Sequence, residues 1–251
     1  MISLKTNREI SLMRDAGRIA AQALALVGEE IRPGVTTEEL ARIAHRHIIA
    51  SGATPTFLNY NGFPGSICVS INSEVIHGIP SRKRMLREGD IVSVDLGATY
   101  KGFVGDTAST FPVGKITLAA QKLCDTTKEA LYAAISFAVP GNRIGDISAA
   151  VQTHCEAEGY SLVRDYTGHG IGRRLHEDPT VPNFGRAGHG VKLRTGMTLA
   201  IEPMVNLGRA QTCVLGDQWT VVTRDGKLSA HYEHTIAITH AGPVILTLAE
   251  D

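Results

Sequence analysis

The chain has 251 residues, of which 43% are hydrophobic and 20% are charged, and its 25 basic side chains balance 25 acidic ones. This length is sufficient for a substantial hydrophobic core, and we expect one domain spanning residues 1–251. A net charge of zero argues against a partner that is bound mainly through its phosphates, such as a nucleic acid. The one basic cluster, at residues 81–90, ends in a Gly-Asp turn, which favours a solvated loop over a contact patch for nucleic acid or ribosome.

The N-terminal sequence and the spacing of the cysteines indicate a reducing compartment. Residues 1–10 lack the apolar centre of a signal peptide, and no apolar run approaches the roughly 18 to 20 residues that span a bilayer. We therefore expect a cytoplasmic protein without membrane contact. No C-x-x-C pair is present, which disfavours a structural zinc knuckle and suits reduced thiols. The four cysteines are far apart: Cys68, Cys124, Cys155 and Cys213.

Two amphipathic helices are predicted at the start of the chain. Apolar positions recur at helical spacing over residues 6–27, and the Arg-Pro-Gly sequence at 32–34 ends this run. A second helix begins after Thr36, which is a capping-box candidate together with Glu39. Three strand-like segments separated by Gly, Pro and Asn-Ser turns then follow, at residues 66–72, 91–97 and 103–114.

The same order of elements begins again after Gly114. Helical patterns over residues 117–139 and 144–158 precede strand-like segments at residues 161–168, 196–205, 219–226 and 231–240. The predicted order of elements in each half is therefore two helices followed by strands, although no residue-level repeat is visible. No linker separates the halves, so we expect an α+β fold in which both halves share one sheet system and one core.

Acidic residues and histidines occupy apolar or glycine-rich positions in the strand-like and loop-like segments. Asp95 and Asp106 flank a predicted turn near residues 100–102, so two antiparallel strands bring them across from each other, with the register open because a β-bulge is an alternative. Two ionised carboxylates in an apolar sheet are costly unless a cation lies between them. The group comprises His77, Asp95, Asp106, His169, His176, Glu202 and Glu233.

Glu202 and Glu233 pose the same problem as the two aspartates, since each has apolar strand neighbours. Four carboxylates and one imidazole form a mostly oxygen-donor set, which suits two divalent ions bridged by shared carboxylates. Dinuclear sites of this kind activate water for hydrolysis. Taken singly, Asp95 is also typical of a turn or cap, and Glu233 of the polar face of an edge strand. The joint pattern favours a metal site, because four acids inside apolar runs are hard to satisfy separately.

The remaining histidines fit a metal site less well. His45 and His47 lie two positions apart on a helix and point to different faces, so they cannot chelate one ion. His234 is adjacent to Glu233 and should face the other side of the sheet. Structural or exposed roles are expected for the others, among which His231 is the nearest to a ligand candidate: His154, His189, His231 and His240.

Five segments resemble the signature blocks of type I methionine aminopeptidases, in the same order and over nearly the whole chain. They are residues 71–80, 94–110, 167–179, 198–205 and 232–239. The resemblance implies the pita-bread fold, in which two pseudo-symmetric halves of helices packed on antiparallel sheet enclose a central metal site. It also implies a metalloprotease, a hydrolase that removes the N-terminal methionine from nascent proteins and peptides, preferentially when the second residue is small.

The resemblance also implies roles for individual residues. It makes Asp106 and Glu233 bridging ligands of two divalent ions, which are Co, Mn, Fe or Zn. His77 would lie near the scissile amide and its leaving nitrogen, and His176 near the carbonyl oxygen. By analogy a metal-bound hydroxide attacks the first peptide carbonyl, and Glu202 is the proposed proton carrier. The implied metal ligands are Asp95, Asp106, His169, Glu202 and Glu233.

The family pattern further implies an apolar methionine pocket beside the metals. Its walls would be Tyr60, Phe63, Cys68 and Trp219, and a thioether packs well on aromatic edges, although core packing is an equally simple account of Phe63 and Cys68. Leu175 departs from the pattern, because an aromatic residue commonly precedes the second substrate histidine. The implied partners are nascent polypeptides, with transient ribosome contact as an open alternative, and the expected state is a monomer.

Two other functions stay open on the sequence alone. An X-Pro aminopeptidase or prolidase resembles this core but usually carries a large extra N-terminal domain, whose absence speaks against it. A pita-bread binding protein without catalysis would be expected to lack one or more ligands, whereas all five are present. The short interval between Glu202 and Glu233 and the lack of a zinc-binding extension favour the minimal bacterial form. Serine hydrolases and dinucleotide enzymes have little support, since G-x-S-x-G and G-x-G-x-x-G are absent.

Overall fold

The computed structural model describes residues 2–250, and the domain ends Met1 and Asp251 lie outside the described residues. Four α-helices are present in the described part, close to the four predicted positions. Thr6 and Thr36 cap the first two, and each forms a capping box with the glutamate three residues later. The helices are α1 (Asn7–Glu29), α2 (Thr37–Ala50), α3 (Leu118–Ser136) and α4 (Ile144–Ala157).

The strands are more numerous than the sequence predicts and, apart from the one that begins at Ile91, shorter. The predicted strand at 196–205 is divided, because Pro203 has no N–H to donate to a ladder. Of the strand predicted at 161–168, Ser161 and Leu162 pair with one neighbouring strand, and Gly168 begins a separate strand that pairs elsewhere. The strands are β1 (Thr54–Pro55), β2 (Cys68–Ile71), β3 (Glu74–Ile76), β4 (Ile91–Tyr100), β5 (Phe103–Pro112), β6 (Ser161–Leu162), β7 (Gly168–Gly170), β8 (Glu177–Val181), β9 (Thr198–Ile201), β10 (Met204–Asn206), β11 (Thr212–Val214), β12 (Val221–Thr223), β13 (Ser229–His231), β14 (Glu233–Thr239) and β15 (Gly242–Ile245).

One antiparallel sheet runs through both halves of the chain. Its strand order is β1-β4-β5-β14-β9-β7-β8, with β2 beside β4 and β15 beside β14. The halves join where β5 pairs with β14, at Ala108 with Glu233 and Thr107 with His234. Antiparallel pairing and separate helix pairs confirm the α+β class, and the shared sheet supports the proposal of a single domain. Two small sheets, β13-β10-β6 and β11-β12-β3, lie beside it.

Side-chain alternation along the sheet separates the core from the opposite face. In β4, Val92, Val94 and Leu96 are fully buried in a cluster with residues of α1 and α2, so Asp95 points away from those helices. In the second half, Leu199 and Ile236 pack in another cluster with α3 and α4. The buried apolar residues thus form more than the one core expected, because each helix pair packs on strands of its own half. None of the helices in residues 2–250 has the length and hydropathy of a membrane span.

Candidate metal centre

The hairpin of β4 and β5 places two aspartates on one face of the sheet. The strands are joined by Lys101 and Gly102, both with positive φ (48° and 78°), as in a two-residue hairpin turn. Asp95 pairs with Ala108 and Asp106 with Gly97, and the register runs without a shift from end to end. The open question of register is therefore resolved. The aspartates are diagonal neighbours rather than directly opposite, and no bulge separates them.

The strands of the second half bring the remaining acids and a histidine to the same face. Ala108 of β5 pairs with both Asp95 and Glu233, so these acids flank it across three strands. His169 of β7 pairs with Ala200 of β9, and Glu202 follows β9 directly. Ala108 between Asp95 and Glu233, and Ala200 beside His169, leave room for the side chains of the group. A single cavity is lined by all five residues of the predicted ligand set: Asp95, Asp106, His169, Glu202 and Glu233.

The side-chain atoms of this set are close enough to share ions. One ligand atom from each of Asp106, His169 and Glu233 lies within 4.8 Å of the other two. His169 Nε2 is 3.5 Å from Glu202 Oε1 and 3.9 Å from Asp106 Oδ2. His169 Nδ1 is 2.9 Å from the Gly170 carbonyl oxygen. An Nδ1–H bond to this carbonyl leaves the Nε2 lone pair directed toward the acids, the arrangement expected of a metal-ligating histidine.

Burial and mutual repulsion act against the charged form of the four acids. Burial raises the pKa of Asp95 to about 7, with a further contribution from Glu202 and an opposing one from His231. Burial likewise raises the pKa of Glu202 to about 8. The pKa values of Asp106 and Glu233 lie well above their ordinary range, because burial and the neighbouring carboxylates both disfavour ionisation.

The donor set fits divalent metal ions. Within residues 2–250, Oδ1 of Asp95, Oδ1 of Asp106 and Oε1 of Glu233 are buried without a hydrogen-bond partner. Such atoms carry a desolvation cost of roughly 1–3 kcal/mol or more. A divalent cation coordinates carboxylate oxygens and neutralises their repulsion, so it removes both the desolvation and the charge penalty.

Two further histidines lie at the same cavity. His77 follows β3 with a φ of 60°, and its ring lies edge-on to Tyr166 and Trp219. Burial, together with His231 and His176, lowers the pKa of His77 to about 4, so this ring is neutral at neutral pH. The ring centroid of His176 is 4.3 Å from that of His169. His176 Nδ1 lies 2.8 Å from the Tyr60 hydroxyl oxygen.

An apolar wall adjoins the acids in this cavity of about 170 Å³. All four residues of the predicted methionine pocket line it: Tyr60, Phe63, Cys68 and Trp219. The rings of Phe63 and Trp219 meet edge to face with centroids 5.2 Å apart. Leu175, which departs from the family pattern, is buried and lines the same wall. The volume is below the roughly 300 Å³ of typical ligand pockets, so it suits one side chain.

The structure adds His231 to the surroundings of the site. Its side chain is 1% exposed, and its Nε2 lies 3.7 Å from Glu202 Oε2. The sequence does contain a signal, because residues two positions apart on a strand share a face, and Glu233 follows two positions later. His234 points elsewhere, with Nδ1 at 2.8 Å from Thr247 Oγ1. Phe57 and Asn61, which the sequence did not single out, also line the cavity.

Comparison with known proteins connects this geometry to a family. The family pattern of metallopeptidase family M24 matches residues 11–240. A methionine aminopeptidase of Clostridium perfringens is 55% identical over 248 residues, which cover 99% of both chains. A methionine aminopeptidase structure from Thermotoga maritima has a TM-score of 0.98 at 46% identity, covering 99% of this chain and 100% of that one.

More distant neighbours share the fold. A prolidase structure from Pyrococcus horikoshii has a TM-score of 0.78 at 26% identity, and the match covers 98% of this chain but 64% of that one. The pita-bread fold is thereby confirmed, with helices packed on a curled antiparallel sheet. The chain belongs to metallopeptidase family M24, whose members use divalent metal, and its end-to-end relatives are methionine aminopeptidases.

Proposed function

We propose that this chain removes the N-terminal methionine of polypeptides, preferentially when the second residue is small, with two divalent ions bound in the cavity. The observation that carries the proposal is the convergence of buried acids with a methionine-sized apolar pocket in one cavity. Full-length similarity to methionine aminopeptidases supports it. Nascent chains are the proposed substrates. The cytoplasmic location, the monomeric state and the transient ribosome contact stay predictions from the sequence.

The proposed ligands are the five residues with convergent donor atoms. Asp106 and Glu233, both buried (4% and 2% exposed), lie on the two middle strands of the group and would hold the ions from there. Asp95, Glu202 and His169 would supply the remaining donor atoms to the two proposed ions. Bound divalent ions supply activation of water and polarisation of the scissile carbonyl.

The two non-ligand histidines are proposed to contact the scissile peptide bond, one at its amide nitrogen and the other at its carbonyl oxygen. His77 is neutral at neutral pH, so its ring offers one donor and one acceptor to the scissile amide. If the Tyr60 hydroxyl donates to His176 Nδ1, the ring proton of His176 is on Nε2, where it can donate to the carbonyl oxygen as negative charge develops. Glu202 is the proposed proton carrier, since its side chain is 13% exposed against 5% for Asp106.

The apolar wall is the proposed site for the methionine side chain. A thioether packs favourably against aromatic edges, which Phe63 and Trp219 present. Leu175 fills the position next to His176 with a branched aliphatic side chain, and it keeps this wall apolar. The small volume of the cavity leaves little room beyond one methionine side chain, which supports the preference for a small second residue.

A prolidase-like activity on X-Pro bonds is the competing function within the fold. The prolidase neighbour is covered over only 64% of its length and shares 26% identity, whereas the methionine aminopeptidases match end to end. A non-catalytic binding role is disfavoured because the acids and histidine of a metal site are present and converge.

A peptide panel tests the proposed function. Metal-loaded protein is incubated with Met-Ala-Ser, with an N-acetylated form of the same peptide, and with an Ala-Pro dipeptide, and released residues are quantified. We expect methionine release from the free peptide alone, because the pocket and the metals must bind an unblocked methionine. Cleavage restricted to the X-Pro substrate would favour the prolidase function. Inertness toward all three would favour a binding role.

A further inference from the structure

A buried ion pair lies beneath the loop that carries His176. Lys5 Nζ is 2.6 Å from Glu177 Oε2, and the two side chains are 5% and 10% exposed. Glu177 directly follows His176 and begins β8, whereas Lys5 lies in the N-terminal segment. The pair therefore links two parts of the chain that are 172 residues apart, at a position next to a proposed substrate-contacting residue.

The second carboxylate oxygen of Glu177 binds the backbone at the start of the same loop. Glu177 Oε1 accepts hydrogen bonds from the backbone N–H groups of Arg173 (3.0 Å) and Arg174 (3.2 Å). One carboxylate thus binds the beginning of the loop through Oε1 and Lys5 through Oε2. His176 lies in the chain between these attachment points, so the contacts restrain the backbone on both sides of it.

The residues around this ion pair accommodate it and hold Lys5 in place. A Cβ atom at Gly172 would lie 2.5 Å from Lys5 Cε and 2.7 Å from Glu177 Oε1, so a larger residue there would displace the two side chains from this ion pair. Lys5 is itself held, because its backbone N–H donates to the Gly196 carbonyl oxygen at 2.7 Å. The adjacent residue Thr6 caps α1, which anchors Lys5 to the first half of the molecule.

We propose that Lys5 and Glu177 are positioning residues that hold residues 171–176 in the geometry that catalysis requires, and this inference rests on the proposed role of His176. Buried ion pairs contribute little net stability compared with apolar replacements, so stability alone is a weak reason for such a pair. Its geometry has a clearer consequence. A displacement of a catalytic group by about 1 Å can cost on the order of 100-fold in rate.

The first test measures the loop without catalysis. Lys5→Met removes the charge but keeps an unbranched apolar stem. Lys122→Met is the matched control, because Lys122 Nζ also lies 2.6 Å from a glutamate oxygen, in a pair whose side chains are 60% and 43% exposed. Amide hydrogen exchange of Arg173 and Arg174 is followed by NMR in metal-free protein. We expect about tenfold faster exchange in Lys5→Met and no change in Lys122→Met.

The second test measures kcat and KM on Met-Ala-Ser. We expect Lys5→Met to lower kcat about tenfold with KM changed less than about twofold, since His176 acts on the transition state. In a His176→Gln background the same substitution should have less than about a twofold effect on kcat, because the positioned group is gone. Lys122→Met should match the parent protein in both backgrounds.

Three results would overturn the inference: unchanged exchange at Arg173 and Arg174, unchanged kcat, or an equal loss of kcat in both backgrounds. Glu177→Gln is the second variant, with the same expectations, if Lys5→Met does not fold. Failure of the proposed function is distinguishable. In that case the parent protein releases no methionine, or His176→Gln retains full activity, while amide exchange still shows whether the ion pair holds the loop.

Discussion

At the scale of single residues, β4 shows how one strand contributes to both the core and the site. Val94 and Leu96 are fully buried against the first helix pair, and Asp95 between them faces the cavity. The sequence predicts this alternation, because period-two burial is a local property of a strand. It does not predict the raised pKa of Asp95, because that pKa is raised by burial in the assembled sheet, with His231 opposing and Glu202 adding to the effect from distant segments.

Asp106 provides a direct test of the ligand set. Asp106→Asn replaces one carboxylate oxygen of a proposed ligand with an amide nitrogen and removes its negative charge, so we expect affinity for Mn²⁺ or Co²⁺ to fall by more than about tenfold. Isothermal titration of metal-free protein measures this change and the number of ions bound. Asp125→Asn, an exposed change on α3, is the control and should bind like the parent protein. Equal affinity in Asp106→Asn would contradict the assignment.

The lowered pKa of Glu177 should make the stability difference between the parent protein and Glu177→Gln depend on pH. Burial opposes its ionisation, but hydrogen bonds from Lys5, Arg174 and Arg173 outweigh this effect and hold the pKa of Glu177 below its ordinary 4.5. A lowered pKa in the folded state stabilises the protein above 4.5, and this contribution is lost as pH falls through the folded value. The melting temperature of Glu177→Gln should therefore lie below that of the parent at neutral pH and approach it in acid. A difference that is constant with pH would exclude this role.

At the scale of elements, the helices could be predicted from the sequence better than the strands. The capping box at Thr36 and the apolar period of α2 are local signals, and both are present in the structure. Short strands such as β7 and β13 have too few residues for an alternating pattern. They exist because distant partners pair with them, as β9 does with His169 and Gly170. Their positions could not be predicted from local sequence.

The contact of α1 with β5 gives a prediction at this scale. A Cβ at Gly105 would lie 2.4 Å from the backbone of Gly17, so Gly105→Ala must push the helix away from the strand. We expect a loss of about 1–3 kcal/mol in the free energy of unfolding. Gly216→Ala, which meets nothing within 4 Å, should stay within about 0.5 kcal/mol of the parent. Urea denaturation of both variants measures the difference, and similar losses would refute the packing argument.

At the scale of the whole molecule, the site forms where the two halves meet. Asp95 and Asp106 come from the first half, and His169, Glu202 and Glu233 from the second. The sequence indicates these residues through their apolar surroundings and the family resemblance. Their distances depend on the β5–β14 pairing, which joins residues more than 120 positions apart. Among the histidines outside the predicted site, the sequence ranks His231 nearest to a ligand candidate, but its contact with Glu202 depends on this long-range packing and could not be predicted.

The most direct test of the central claim is methionine release by rigorously metal-free protein during titration with a divalent ion. The central claim is that the buried carboxylates bind divalent ions, and that these ions activate water for hydrolysis. We predict no release from Met-Ala-Ser before addition of metal, a rise as the sites fill, and loss on chelation that added metal reverses. Full activity in the metal-free sample would contradict the account.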